Sequence, residues 1–373
     1  MKYNSFNPTQ KILMGPGPSN IDPRVMESMS KNIIGHLDPE FIELMNEIKN
    51  LLRYAFQTKN ELTFPLSAPG SAGMETCFVN LVEPGDKVIV CINGVFGGRM
   101  KENVERCGGY PIIIEDKWGT PIDLNKVEIA LKQNPDTKIL AFVHAETSTG
   151  VCSDAMELSN LAKSYDCLTI MDTVTSLAGI PIHLDEWKID AVYSGSQKCL
   201  SCPPGLSPLS FSENALTVVK NRKTKVQSWF MDLSLVMQYW QGGSSRAYHH
   251  TAPINAMYAL YESLRILNEE GLENSWKRHE AVHLELKKGL ENLGFSFLVD
   301  EKSRLPQLNA ILLPDKIKSN EAEIRARLLR EYNLEIGAGL GALSGKIWRI
   351  GLMGYGASLN NVKTCINALS EII

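Results

Sequence analysis

The sequence predicts an α/β protein, with a mostly parallel, doubly wound sheet in a large domain followed by a smaller α+β domain. Three observations point there. The first is a set of short apolar runs without polar alternation, each bounded by turn residues: Val88–Ile92, Ile139–Val143, Leu168–Met171 and Ala191–Tyr193. Such runs are expected of strands covered on both faces. The second is helical periodicity between the runs, for example over Ser71–Leu81 and Met156–Ser164, which makes the strand–helix repetition of a doubly wound layer. The third is a change of pattern after about residue 265. A long helix is expected over Asn274–Leu293, stopped by Gly294, then strands over Phe295–Val299 and Leu308–Leu313. An amphipathic, highly charged segment follows over Glu321–Glu331, then a strand over Lys346–Gly351 and a last helix capped by Asn360. The expected division is an N-terminal arm at 1–20, a large domain at 21–268 and a small domain at 269–373.

A chain of 373 residues with 44% hydrophobic and 21% charged residues is long and apolar enough for two cores of ordinary globular composition. A net charge of -4 gives no basic excess to attract nucleic acid or an anionic membrane. No apolar stretch approaches the roughly 20 residues that span a bilayer. Met1–Gln10 is polar and lacks a signal core, and the terminal Ser370-Glu371-Ile372-Ile373 is not a peroxisomal address, so the expected location is the cytoplasm. The eight cysteines show no pairing pattern and read as free thiols of a reducing compartment. Cys199 and Cys202 form a lone C-x-x-C without a second pair, and His249 and His250, adjacent on an expected strand, would point to opposite faces. No metal site is expected.

The chemistry is concentrated in Ser194-Gly195-Ser196-Gln197-Lys198-Cys199, which follows the apolar run Ala191-Val192-Tyr193. Lys198 is the only charge between Ala191 and Ser212. A lysine in apolar surroundings loses its proton readily, unlike a surface lysine with its stem packed on a sheet. Upstream, Cys167-Leu168-Thr169-Ile170-Met171-Asp172 is an apolar run that ends on an acid. A lysine and an aspartate at adjacent strand ends are what pyridoxal phosphate chemistry requires: the lysine forms a Schiff base and the acid keeps the ring nitrogen protonated. Ser67-Ala68-Pro69-Gly70-Ser71-Ala72-Gly73 is a small-residue turn opening a helix. There the free N–H groups attract an anion, and Ser71 is expected to cap the helix.

These segments resemble the class V, fold-type I aminotransferases, in the branch that acts on alanine–glyoxylate and serine–pyruvate pairs. The likeness rests on Met14-Gly15-Pro16-Gly17-Pro18-Ser19, Ile33-Ile34-Gly35-His36, Asn93-Gly94-Val95-Phe96-Gly97 and His144-Ala145-Glu146-Thr147-Ser148-Thr149-Gly150. It continues through the Lys198 segment, Tyr248-His249-His250-Thr251 and Arg349-Ile350-Gly351-Leu352, in family order over nearly the whole chain. The resemblance implies that Lys198 is the Schiff-base lysine and Asp172 the pyridinium partner. Gly70, Ser71 and Gln197, with Ala72 in the same turn, would hold the phosphate end. Thr147 would lie near the ring hydroxyl, and Phe96 would stack on the ring where the family usually has tryptophan. Tyr248 and Thr251 would reach the phosphate of a neighbouring subunit, implying a homodimer. Arg349 would clamp the substrate carboxylate through its planar fork, and Gly17 would lie near the substrate. Pro69 and Ala72 depart from the more usual glycine or histidine of the phosphate turn.

The implied reaction moves an amino group from a small amino acid, alanine or serine, to a small 2-oxo acid, glyoxylate or pyruvate, by a ping-pong route. A lyase of the same fold, such as a cysteine desulfurase, is the alternative. It would carry a histidine before the lysine, where this chain has Gln197, and a cysteine in a small-domain loop, yet no cysteine lies between Cys202 and Cys365. A nicotinamide-dependent dehydrogenase is disfavoured because no G-x-G-x-x-G joins a strand to a helix near the start.

Overall fold

Fourteen short strands set the frame of the computed structural model, which describes Met1, residues 3–240 and residues 246–373. In chain order they are β1 (Ile12–Met14), β2 (Leu62–Leu66), β3 (Lys87–Ile92), β4 (Tyr110–Glu115), β5 (Thr137–Val143), β6 (Ala145–Glu146) and β7 (Val151–Cys152). β8 (Leu168–Asp172), β9 (Ala191–Tyr193), β10 (Ser207–Phe211), β11 (Ser296–Phe297), β12 (Leu308–Leu312), β13 (Leu334–Ala338) and β14 (Ile347–Gly351) follow. Seven of them form one sheet in the order β2-β10-β9-β8-β5-β3-β4. All neighbours are parallel except at β10, which runs against both β2 and β9. The four strands expected in the large domain are the sheet's centre, and their continuous apolar character matches burial on both faces.

Helices cover the sheet because their apolar residues recur on one face. In Pro39–Phe56, the buried residues Phe41, Met45, Ile48 and Leu52 follow the helical repeat. That helix starts where Asp38 accepts from Glu40 N–H and Pro39 takes the first position. The main core includes this face, the central strands and helix Ile254–Glu270.

A second core belongs to a five-stranded sheet of order β1-β13-β14-β12-β11. Helices Leu272–Asn292 and Leu359–Ile372 pack on it through residues such as Leu286, Leu290, Cys365 and Leu369. Residues of the expected arm take part in this sheet. Its β1 pairs in parallel with β13, and Met14 is buried in the second core.

Several local expectations are corrected. The strand at Phe295–Val299 pairs only over Ser296–Phe297. The last helix is capped by Ser358, whose hydroxyl accepts from Asn361 N–H, and Asn360 is already inside the helix. Ser71 is not a cap: the helix is Gly70–Leu81, Pro69 precedes it, and no side chain caps it. His249 and His250 lie outside any strand, so the alternation of a strand does not separate them, and their Nδ1 atoms are 2.8 Å apart. Among the described residues no group of three or more metal-ligating side chains is present.

Met14→Ala is expected to destabilise the protein by about 2–5 kcal/mol in denaturant unfolding, because it hollows a filled core. A loss under about 1 kcal/mol would mean that the arm's strand contributes little to that core.

Candidate active site

The parallel strands of the large sheet end along one edge, and the chemistry-bearing side chains gather beyond it. Asp172 closes β8 and Tyr193 closes β9, and the two are paired in register. This pairing lets Tyr193 OH donate to Asp172 Oδ2 at 2.7 Å, while Val174 N–H donates to Oδ1 at 2.7 Å. Burial pushes the Asp172 carboxyl up to about 7, against the pull of those two hydrogen bonds. In the sequence Tyr193 reads only as a strand residue. A hydroxylated aromatic at the end of the strand leading into the lysine turn was the available signal.

Beyond β9 the chain turns through small residues to Lys198. Burial, the dominant cause, lowers its amine to about 8, and the charge of Arg349 acts in the same direction. The amine donates to Pro16 O. The arm's turn is tied to the same segment through Ser19 N–H to Gln197 O at 2.9 Å and Ser19 Oγ to Lys198 O at 2.7 Å. Gly17, at φ +100°, leaves no room for a side chain: a Cβ would lie 2.7 Å from Lys198 Cδ.

Gly70, Ser71, Phe96, Asp172, Gln197 and Lys198 line one cavity of about 220 Å3, joined by Tyr193 and by Arg99. The guanidinium carbon of Arg99 lies 4.8 Å from the Phe96 ring centre. A larger hollow of about 310 Å3 lies behind the lysine turn, against Cys199, Leu200 and Arg278, and does not open onto Asp172 or Lys198. Not every expected residue lines the smaller cavity. Ala72 directs its N–H to Pro69 O at 2.8 Å. Thr147 is buried, sharing a hydrogen bond with Thr175. Tyr248 and Thr251 are exposed and do not line their own chain's cavity.

Arg349 enters from β14 of the other sheet and is only 6% exposed. Its Nε donates to Ala338 O at 2.8 Å and its Nη1 to Thr147 O at 3.3 Å. A guanidinium has five N–H donors, so this bonding leaves donors for an anion. Burial lowers its pKa to about 10, which keeps it charged at neutral pH.

A sheet of this order, with an amine, an acid and an anion-attracting helix start at its carboxyl edge, defines a pyridoxal-phosphate-dependent transferase of fold-type I. The chain belongs to the class-V aminotransferases: residues 12–355 match that family's description, "Aminotransferase class-V". It is 41% identical over 366 residues to an alanine–glyoxylate aminotransferase of Rattus norvegicus, covering 98% of this chain and 88% of the relative. The crystal structure of an alanine–glyoxylate aminotransferase from Nostoc sp. superposes with a TM-score of 0.97 at 43% identity, covering 100% of this chain and 97% of that one. The ureidoglycine–glyoxylate aminotransferase of Bacillus subtilis gives a TM-score of 0.96 at 35% identity, covering 99% and 94%. The protein is a transaminase, and its cofactor is pyridoxal 5′-phosphate.

The residues present suit that cofactor. The Gln197 side-chain oxygen is buried without a partner, so the carboxamide is uncommitted. The first N–H groups of Gly70–Leu81 face no side-chain cap, which suits a phosphate. Asp172 has one protein donor on each oxygen and retains lone pairs for a protonated ring nitrogen.

An amine attacks an aldehyde only when neutral, and Lys198 gains its neutral form as pH rises through about 8. Cofactor capture by the apoprotein, followed by absorbance, is expected to accelerate with pH and level off above about 8, whereas an ordinary solvated lysine would still be gaining near 10.

Proposed function

We propose that this transaminase moves the amino group of a small amino acid, alanine or serine, to a small 2-oxo acid, glyoxylate or pyruvate, in two half-reactions at one site. The observation that carries the reading is the Lys198 amine and the Asp172 carboxyl lining one cavity at the carboxyl edge of the sheet, with the buried Arg349 guanidinium bonded to Thr147 O just beyond β5. The names of the Rattus norvegicus and Nostoc relatives support the substrate pair.

In this reading Arg349 grips the α-carboxylate shared by amino and oxo acids. Asp172 holds a proton on the cofactor's ring nitrogen, and Tyr193 holds Asp172 in place. Bound pyridoxal phosphate supplies a cationic ring that draws electrons from the carbon being deprotonated. Lys198, desolvated and in its neutral form, would take the substrate α-proton and return it at the cofactor's carbonyl carbon, so that the amino nitrogen stays with the cofactor. Phe96 covers the ring face. Gly70, Ser71 and Gln197 hold the phosphate at the turn that Ala72 shares, and Thr147 stands near the ring hydroxyl. Gly17 keeps the space in which the amine moves. Tyr248 and Thr251, exposed on their own chain, complete the phosphate site of a second copy in a homodimer. Eight free cysteines suit a reducing, cytoplasmic setting, and no described helix is long and apolar enough to cross a membrane.

The desulfurase alternative needs a reactive thiol at the site. Among the described residues no cysteine lines the cavity, and burial pushes Cys199, the nearest in sequence, up to about 12.

Adding amino acids singly to the loaded enzyme is expected to bleach the cofactor band with alanine or serine, while Lys198→Ala shows no bleaching. Bleaching by none of the panel, with sulfur released from cysteine, would replace this reading by the lyase. Arg349→Lys is expected to raise KM for amino and oxo acids alike by about tenfold or more, because a point charge replaces a planar fork. An unchanged KM would remove Arg349 from the carboxylate site.

A further inference from the structure

Glu146 is a carboxylate with no exposure at all, set on the short hairpin of β6 and β7 just beyond the carboxyl end of β5. A buried charge is costly unless it is fully hydrogen-bonded. Here the donors are supplied. Oε2 accepts from Phe96 N–H at 3.1 Å, and Gly97 N–H adds to the same environment. Oε1 accepts from Ser148 N–H at 3.0 Å and from Ser148 Oγ at 2.7 Å. Ser148 Oγ in turn accepts from Val95 N–H at 3.0 Å.

Val95, Phe96 and Gly97 are the first turn of helix Val95–Arg106, whose N-cap is Gly94 with no capping side chain. The orphan N–H groups of that turn are instead met by Glu146 and Ser148, about fifty residues later in the chain. Gly94 is the trace of this arrangement: a Cβ there would collide with Glu146 Cγ and lie 2.5 Å from Ser148 Oγ. The same segment carries Thr147, whose carbonyl receives the Arg349 guanidinium.

We infer that Glu146 is a positioning residue: its buried carboxylate caps the helix start that carries Phe96 and so fixes the aromatic face against the cofactor ring. The inference rests on the proposed placement of Phe96 over that ring. A carboxylate suits the task because it only accepts, whereas a glutamine would turn an NH2 group toward N–H and O–H donors. A merely structural cap would affect folding and leave the cofactor's surroundings alone. A positioning residue acts on the cofactor, and does so through Phe96.

The test is a double-mutant cycle on cofactor affinity. Wild type, Glu146→Gln, Phe96→Ala and the double variant are prepared as apoproteins and titrated with pyridoxal 5′-phosphate, reading Kd and the visible circular dichroism of the bound cofactor. Glu146→Gln is expected to raise Kd about tenfold or more and to weaken the dichroic band, the loss expected of a hydrogen bond to a charged group. In the Phe96→Ala background the same change is expected to shift Kd by less than about twofold. An equal shift in both backgrounds, or none in either, overturns the inference. Ser148→Ala, which removes one donor and one acceptor of the cap, gives a second reading should Glu146→Gln fail to fold. It is expected to raise Kd about threefold in the Phe96 background alone, and an unchanged Kd overturns the inference. Failure of wild type to bind pyridoxal 5′-phosphate would remove the functional reading and this inference together; normal wild-type binding with an unresponsive cycle removes only the second.

Discussion

Desolvation of the Lys198 amine is the constraint on which the rest of the site depends. A solvated ammonium neither attacks an aldehyde nor takes a proton from carbon at neutral pH. The fold lowers this amine by enclosing it between the end of β9 and the arm's Pro16–Gly17 turn. The cationic Arg349 acts in the same sense, and the nearby Asp172 opposes it. The balance leaves the amine near neutrality, the range in which general bases are most useful.

That enclosure needs both cores. The strand Ile12–Met14 belongs to the five-stranded sheet, yet the residues after it reach the seven-stranded sheet and pack on the lysine turn. Gly351, at the end of β14, sits so close to Gly15 that a Cβ there would strike its carbonyl oxygen. The strand bearing Arg349 and the loop enclosing Lys198 are therefore packed against each other. The spacing between the backbones that carry Arg349 and Lys198 is set by this contact. In physical terms this is how a site assembled from two sheets keeps the sub-ångström tolerance that proton transfer demands.

The central strands are legible in the sequence because strands covered on both faces are continuously apolar, and the amphipathic, charged segment Glu321–Glu331 is a helix in the structure. Lys198 and Asp172 stood out because charge is rare at the ends of such runs. What stayed hidden was nonlocal. Nothing in Ile12-Leu13-Met14 states that it pairs with a strand more than three hundred residues away. The Tyr193–Asp172 hydrogen bond follows from register between neighbouring parallel strands, which a single sequence does not specify. Caps failed for a related reason. Ser71 and Asn360 are good capping types, but backbone geometry placed Pro69 and Ser358 at those positions.

Asp172 and Glu146 show why residue type alone could not separate ligand-facing from structural acids. Both are buried carboxyls near the same cavity, and burial raises both. They differ in how many donors the protein provides. Asp172 receives one on each oxygen, from Val174 and Tyr193, which steadies the group and leaves lone pairs on its cavity side. Glu146 receives two on Oε1, and its Oε2 faces the helix start at Phe96 and Gly97. The acid with spare acceptor capacity is the one suited to an external proton donor, and the saturated acid is the one suited to hold backbone in place. Counting donors against lone pairs separates two carboxyls that burial and residue type leave alike.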